Sequence, residues 1–314
     1  MTQAVTQAAP FFEALAEGPE GGYALWLTAE DGLRLRAVHW PKEGARGTVL
    51  LMPGRTEYCE KYGRTAGELA ERGLATLAID WRGQGLADRL AEPPLLGHVG
   101  RFGDYQRDVR AMVAVAKAEG AAEPYFLLGH SMGGCIGLRA LYEGIEVQAA
   151  AFSAPMWGIY LAPQMRPVAW ALSNLAQTLG QGAQFAPGTK SETYVLADPF
   201  EDNMLTTDAA MWAYMVRQAQ AHPELTLAGP SLQWLAEALR ETRALHRMPS
   251  PQRRTITFLG TCERIVDGTR ITDRMRRWPS GRLSMVEGAE HEVLMERAAM
   301  RASVLDEMVQ FFLE

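Results

Sequence analysis

Cysteine is scarce, long apolar runs are missing and no lysine-rich tract occurs, and each lack removes a class of function. The three cysteines, Cys59, Cys135 and Cys262, are odd in number and far apart. That suits a reducing cytosol better than a disulfide scaffold. No stretch approaches the roughly 18 consecutive apolar residues of a membrane-spanning helix. Met1 to Pro10 is polar and alanine-rich, without the basic start and apolar centre of a secretory signal. A cytoplasmic chain, free to touch a membrane surface from outside, is the expectation. A net charge of −6 and a pI near 5.6, with no basic run, argue against nucleic acid as a partner. No cluster of His, Cys, Asp and Glu has metal-ligand spacing, so no metal is expected, and the serine chemistry set out below needs no other cofactor. Gly83-Gln84-Gly85 after an apolar strand resembles part of a dinucleotide fingerprint, but it leads into Asp88-Arg89 and Pro93-Pro94. Without a helix there to hold a pyrophosphate, it reads as a sharp turn with Asp80 and Arg82 paired.

What is present is a rhythm. From Tyr23 to Trp40 apolar residues alternate with polar ones across an Asp31-Gly32 turn, the pattern of a β-hairpin. Apolar strands then alternate with helices. Glycines at 73, 120 and 144 each end a helix, and an apolar strand starts within a few residues of each. Repeated βα units on a buried, mostly parallel sheet follow from that pattern. The rhythm stops after Pro155. Residues 156–250 hold helical stretches but no convincing strand, and four of the eight tryptophans (Trp157, Trp170, Trp212, Trp234). The α/β pattern resumes at Thr255 and closes with an amphipathic helix expected from Val293 to Leu313. A helical insertion over 156–250 in an α/β core of 1–155 and 251–314 is therefore expected, with residues 1–21 as a loosely ordered lead-in.

The chemistry centres on Gly129-His130-Ser131-Met132-Gly133-Gly134, where the strand Tyr125 to Leu128 turns into a helix. A serine on so tight a turn adopts a strained backbone, tolerated because glycines flank it, and its hydroxyl projects into open space. Such a hydroxyl needs a histidine to take its proton and a carboxylate to orient that histidine. Of the six histidines, only His291 sits in a loop after a late core strand. Two carboxylates follow the strand Thr255 to Gly260: Glu263, nearer the strand end, is the preferred acid, and Asp267 is the alternative. An oxyanion hole needs two backbone N–H donors. Met132, at the helix start, supplies one, and Arg55, in the loop Pro53 to Glu57, supplies the other.

Together with Gly97-His98-Val99, Asp104-Tyr105, Ser153-Ala154-Pro155-Met156, Gly260 to Asp267 and Gly288-Ala289-Glu290-His291, these motifs resemble the α/β-hydrolases of the monoacylglycerol lipase and bacterial lysophospholipase L2 group. The resemblance implies an α/β-hydrolase fold whose insertion forms a helical cap over Ser131. It also implies a serine hydrolase that cleaves lysophospholipids or monoacylglycerols through an acyl-enzyme. A small-ester carboxylesterase, an acyltransferase and a perhydrolase would use the same triad. The chain departs from the group in having Pro53 where His usually opens the oxyanion loop, and Glu263 where Asp is frequent. Methionines Met156, Met165, Met204, Met211 and Met215 are candidates to line an acyl channel. Arginines Arg253, Arg254, Arg274, Arg276 and Arg277 are candidates to meet a phosphate or an anionic bilayer.

Overall fold

The computed structural model describes residues 7–160, 162 and 164–314, with the side chains of Met165 and Arg166 left aside. Its strands are β1 (Gln7–Ala8), β2 (Tyr23–Thr28), β3 (Arg34–Trp40), β4 (Thr48–Met52), β5 (Ala75–Asp80), β6 (Tyr125–His130), β7 (Ala149–Ser153), β8 (Thr255–Gly260) and β9 (Gly281–Val286). Its helices are α1 (Glu13–Ala16), α2 (Gly63–Glu71), α3 (Tyr105–Ala118), α4 (Ser131–Tyr142), α5 (Met165–Thr178), α6 (Tyr194–Ala197), α7 (Ala209–Ala221), α8 (Leu232–Arg247), α9 (Gly268–Arg276) and α10 (Ala298–Leu313). The strands form one sheet in the order β1-β2-β3-β5-β4-β6-β7-β8-β9. Pairing is antiparallel from β1 through β3 to β5 and parallel from β5 onward. This is the α/β-hydrolase architecture that the resemblance implied.

Alternation along the central strands assigns the helices to the two faces. In β4, Leu50 and Met52 join one core while Val49 and Leu51 join the other, and every residue of the strand is buried. Helices α3, α4 and α9 cover the first face through Met112, Ile136 and Ile271. On the opposite face lie α2 and α10, with Leu69 and Leu305. The helices between β7 and β8 divide in the same way, Trp234 of α8 joining the first core and Met215 of α7 the second. Among the described residues no strand lies between β7 and β8, and no helix is long and apolar enough to cross a membrane.

Three expectations change. The lead-in is pinned over residues 7–21: β1 pairs with β2, Phe11 packs edge-on to Trp40, and the Pro10 carbonyl accepts from Arg36 Nη1 at 2.9 Å. Residues 1–6 lie outside the described residues. Asp80 and Arg82 do not pair with each other. Asp80 holds Arg36 Nε at 2.7 Å, whereas Arg82 reaches Asp108 at 2.7 Å and Asp31 at 2.9 Å. β5 ends at Asp80, so Arg82 lies two residues on, in the turn beyond the strand, and its side chain no longer follows the strand's face. The last helix starts at Ala298 rather than near residue 293 because Glu296, fully buried, accepts from the N–H groups of Glu290 and Thr207 at 2.9 and 3.0 Å. That anchor bends the chain away from a helical path.

The Arg36 guanidinium is wholly buried and forks onto Glu60 at 2.7 and 2.6 Å while its Nε reaches Asp80. One side chain thus joins β3, β5, the lead-in and the turn before α2. Removing it leaves two buried carboxylates facing each other without a counter-charge, a loss of roughly 3–5 kcal/mol. Arg36→Leu should therefore lower the urea midpoint by an amount worth at least that range. A loss below about 1 kcal/mol, the level of a surface ion pair, would contradict the structure.

Candidate functional site

The site begins where β6 becomes α4. Ser131 has φ +48°, a left-handed conformation that a side chain pays for in strain. The turn closes because Gly133 lies against the carbonyl of Met52 at the end of β4: a Cβ at Gly133 would come within 1.9 Å of that oxygen. A Cβ at Gly129 would meet the Gly133 carbonyl at 2.8 Å. The motif's glycines are thus required by the approach of β4, β6 and α4. Met132 is the second residue of α4, so its N–H has no partner within the helix.

His291 lies five residues past β9, and Glu263 three past β8. Their side chains meet: His291 Nδ1 is 2.7 Å from Glu263 Oε2, and both are about 4% exposed. The other oxygen of Glu263 accepts from the N–H groups of Ile265 and Val266 at 2.6 and 3.0 Å. Burial raises the Glu263 carboxyl, but the His291 contact and these amides outweigh it and hold the group below its ordinary value. An ionised carboxylate against Nδ1 favours the tautomer with its proton there, which leaves Nε2 as an acceptor. Asp267 is placed elsewhere. It is the N-cap of α9, its Oδ1 accepting from Arg270 N at 3.3 Å.

The loop after β4 is fixed by its own contacts. Pro53 O accepts from Trp81 Nε1 at 2.8 Å, and Gly54 O from Gln84 Nε2 at 3.0 Å. Gly54 N–H donates to Glu57 and Thr56 N–H to Gln84. The amide between them, that of Arg55, has no such partner among the described residues. The Arg55 side chain turns away, donating to Ala228 O at 2.8 Å beneath Trp234, and burial brings its pKa down to about 10.

Behind this loop lies a group of residues that the sequence reading missed. Glu57 takes Lys61 Nζ at 2.6 Å and also accepts from Tyr62 Oη, while Lys61 Nζ lies 2.6 Å from Glu292 Oε2. All four are buried. Burial raises the Glu57 carboxyl, but the Lys61 and His130 side chains more than offset it, to about 2. For Glu292 burial wins and the group is raised. One cation between two carboxylates therefore holds Glu57 down and leaves Glu292 raised. His130, whose ring is 4.9 Å from that of His291, is driven down to about 3 by burial and stays neutral. Ligand-type atoms of Glu57, His130 and Glu292 lie within 4.8 Å of one another, a grouping that no spacing in the sequence announced. Lys61 already supplies the positive charge between the two carboxylates. The one local signal was the i,i+4 pair Glu57 and Lys61; Glu292 comes from a segment over two hundred residues away.

Ser131, His291, Arg55 and Glu57 line one cavity of about 450 Å³. Its outer wall comes from the segment between β7 and β8, including Tyr194, Val195, Met204, Met215 and Trp234. Of the methionines expected there, Met156, Met204 and Met215 are on the wall. Met211 is instead buried in the core beside α2, and the Met165 side chain lies outside the described residues.

Comparison with known proteins finds relatives over most of the chain. The sequence pattern of the family described as serine aminopeptidase, S33, matches residues 43–298. Lysophospholipase L2 of Escherichia coli is 32% identical over 91% of this chain and 86% of its own length. A probable lysophospholipase L2 of Haemophilus influenzae is 27% identical over 98% of this chain and 95% of its own. Among solved structures, a soluble variant of monoglyceride lipase from Saccharomyces cerevisiae, in complex with a substrate analog, superposes with a TM-score of 0.71. It is 21% identical and covers 99% of this chain and 96% of that one, a likeness of fold.

The two candidate acids separate cleanly by mutation. Glu263→Gln should lower kcat on an ester substrate by about a thousandfold or more, because an amide beside Nδ1 favours the wrong tautomer. Asp267→Asn should change kcat by less than about tenfold, since it alters only a helix cap. Steady-state kinetics of the two variants decide it, and the reverse ranking would move the acid to Asp267.

Proposed function

The chain belongs to the serine aminopeptidase S33 family of α/β-hydrolases, and we propose that this member cleaves the carboxylic ester of lysophospholipids or monoacylglycerols. The observation that carries the reading is the placing of Ser131, on its left-handed turn, and His291, held by Glu263, on the wall of one cavity. Ser131 Oγ attacks the ester carbonyl as His291 Nε2 takes its proton. The N–H groups of Arg55 and Met132 hold the negative oxygen of the tetrahedral intermediate. His291 then gives the proton to the departing alcohol, and water, activated by the same ring, releases the fatty acid. No step calls for a cofactor.

Size and lining favour a single acyl chain over a small ester. The cavity volume lies in the range of sites that enclose drug-sized ligands. Val195, Met204, Leu205 and Met215 give it an apolar wall. In this reading residues 156–250 are a cap that closes the acyl site. Val168, Leu172 and Leu175, exposed along one side of α5, and Leu179, which caps its end, are the part of the cap that meets a lipid surface.

Each methylene buried contributes roughly 0.8 kcal/mol. With monoacylglycerols and lysophosphatidylcholines of rising chain length, assayed below micelle formation, kcat/KM should climb by about tenfold per added pair of methylenes and then level off. A profile that is flat or falls beyond the shortest chains would leave a small-ester carboxylesterase.

A further inference from the structure

A second cavity, of about 340 Å³, lies between α5, α8 and α9. Its wall includes Trp170, Arg243, His246, Arg247 and Arg270, with Asp267 as the one carboxylate among the described residues. The Arg243 guanidinium sits over the Trp170 ring at 5.6 Å. Among the described residues neither Arg243 nor Arg247 has an acidic partner, whereas the arginines singled out from sequence are mostly engaged. Arg254 pairs with Glu314, Arg276 and Arg277 pair with Asp273, and Arg274 is buried against Leu245 and Tyr142. Burial, together with the charges of Arg270, Arg277 and Arg274 and against that of Asp273, lowers the pKa of His246. Basic residues in the last turn of α8 would by themselves be explained by the helix dipole. Arg243, a turn earlier, is not; Arg270 comes from a different helix, where it pairs with Asp267 at 3.8 Å.

This cavity adjoins the first. Ile159 lines both. Met156, three residues before it, donates from its N–H to the Ser131 carbonyl at 2.8 Å, and three residues of chain span at most about 10 Å. The Gly158 carbonyl, in turn, accepts from Asp267 N at 2.9 Å. The two cavities therefore share Ile159 as a wall, and a ligand with its ester at Ser131 that passes this residue brings its polar end toward the arginines.

We propose that this basic cavity binds the phosphate of a lysophospholipid while its acyl chain occupies the cavity at Ser131. The inference rests on the esterase reading and narrows it: the favoured substrate carries a phosphodiester, and the glycerol forms the bridge past Ile159. Arg243 and Arg247 give charge-assisted hydrogen bonds to the phosphate oxygens. Trp170, already stacked on Arg243, holds that guanidinium in place.

The test compares lysophosphatidylglycerol with monoacylglycerol of the same acyl chain, below micelle formation, on wild type and on the double variant Arg243→Gln/Arg247→Gln, with Arg270→Gln as a second, independent variant. Charge-assisted hydrogen bonds of the usual strength predict a fall of about tenfold or more in kcat/KM for the lysophospholipid, carried by KM. Monoacylglycerol turnover should stay within about twofold. Inorganic phosphate should compete with the lysophospholipid on wild type and lose that effect on the double variant. Equal falls on both substrates, or no fall on either, would overturn the headgroup site and leave the esterase intact, as would a wild type that hydrolyses monoacylglycerol alone. Phosphate inhibition without discrimination between the substrates would assign the cavity to a free anion instead and overturn the headgroup site. Failure of wild type on both substrates would remove the esterase reading, and this inference with it.

Discussion

Everything at the site depends on the close approach of Gly133 to the end of β4. With the Met52 carbonyl where a Cβ would stand, α4 starts directly against the sheet and Ser131 is forced into the left-handed region at φ +48°. The same approach puts the first amides of α4 beside the loop that leaves β4. The candidate donors of Arg55 and Met132 thus come from one packing contact. Strain is concentrated here: Thr56 and Ala154, in the loops after β4 and β7, also have positive φ, at 70° and 40°. Such strain persists only where the surrounding structure overdetermines it, and the wholly buried strands β4, β6 and β7 do so.

A second constraint holds the two sides of the site together. Lys61 reaches Glu57, which secures the loop after β4 through Gly54, and Glu292, which follows His291 in sequence. A buried charge group of this kind contributes little net stability but fixes geometry, since its members are costly to leave unpaired. It positions loop and histidine relative to each other without touching the reacting atoms.

The sequence made the α/β rhythm, the hairpin, the serine turn and the histidine loop legible because each rests on local chemistry: glycine after a helix, alternation of period two, a serine between glycines. It left Glu263 and Asp267 open because both follow the same strand. What separates them is which carboxylate curls back to the amides of Ile265 and Val266 and which caps α9. The pairing of Asp80 with Arg36 rather than Arg82, and the Glu57, Lys61 and Glu292 group, were illegible for the opposite reason. Their partners lie far apart in the chain and meet only once the sheet order is set. The lead-in looks loose in the sequence because its composition hides what holds it, among these a two-residue strand, the packing of Phe11 on Trp40 and a backbone carbonyl bound by a buried arginine.

The central claim is that Ser131 carries the acyl group between attack and release. It is tested most directly by reacting the protein with a long-chain p-nitrophenyl ester, quenching within the first turnover, and locating the acyl mass by peptide mapping. The account predicts one acyl group per chain on the peptide containing Ser131, and none in Ser131→Ala. An acyl group on another residue, or full turnover by Ser131→Ala, would contradict it.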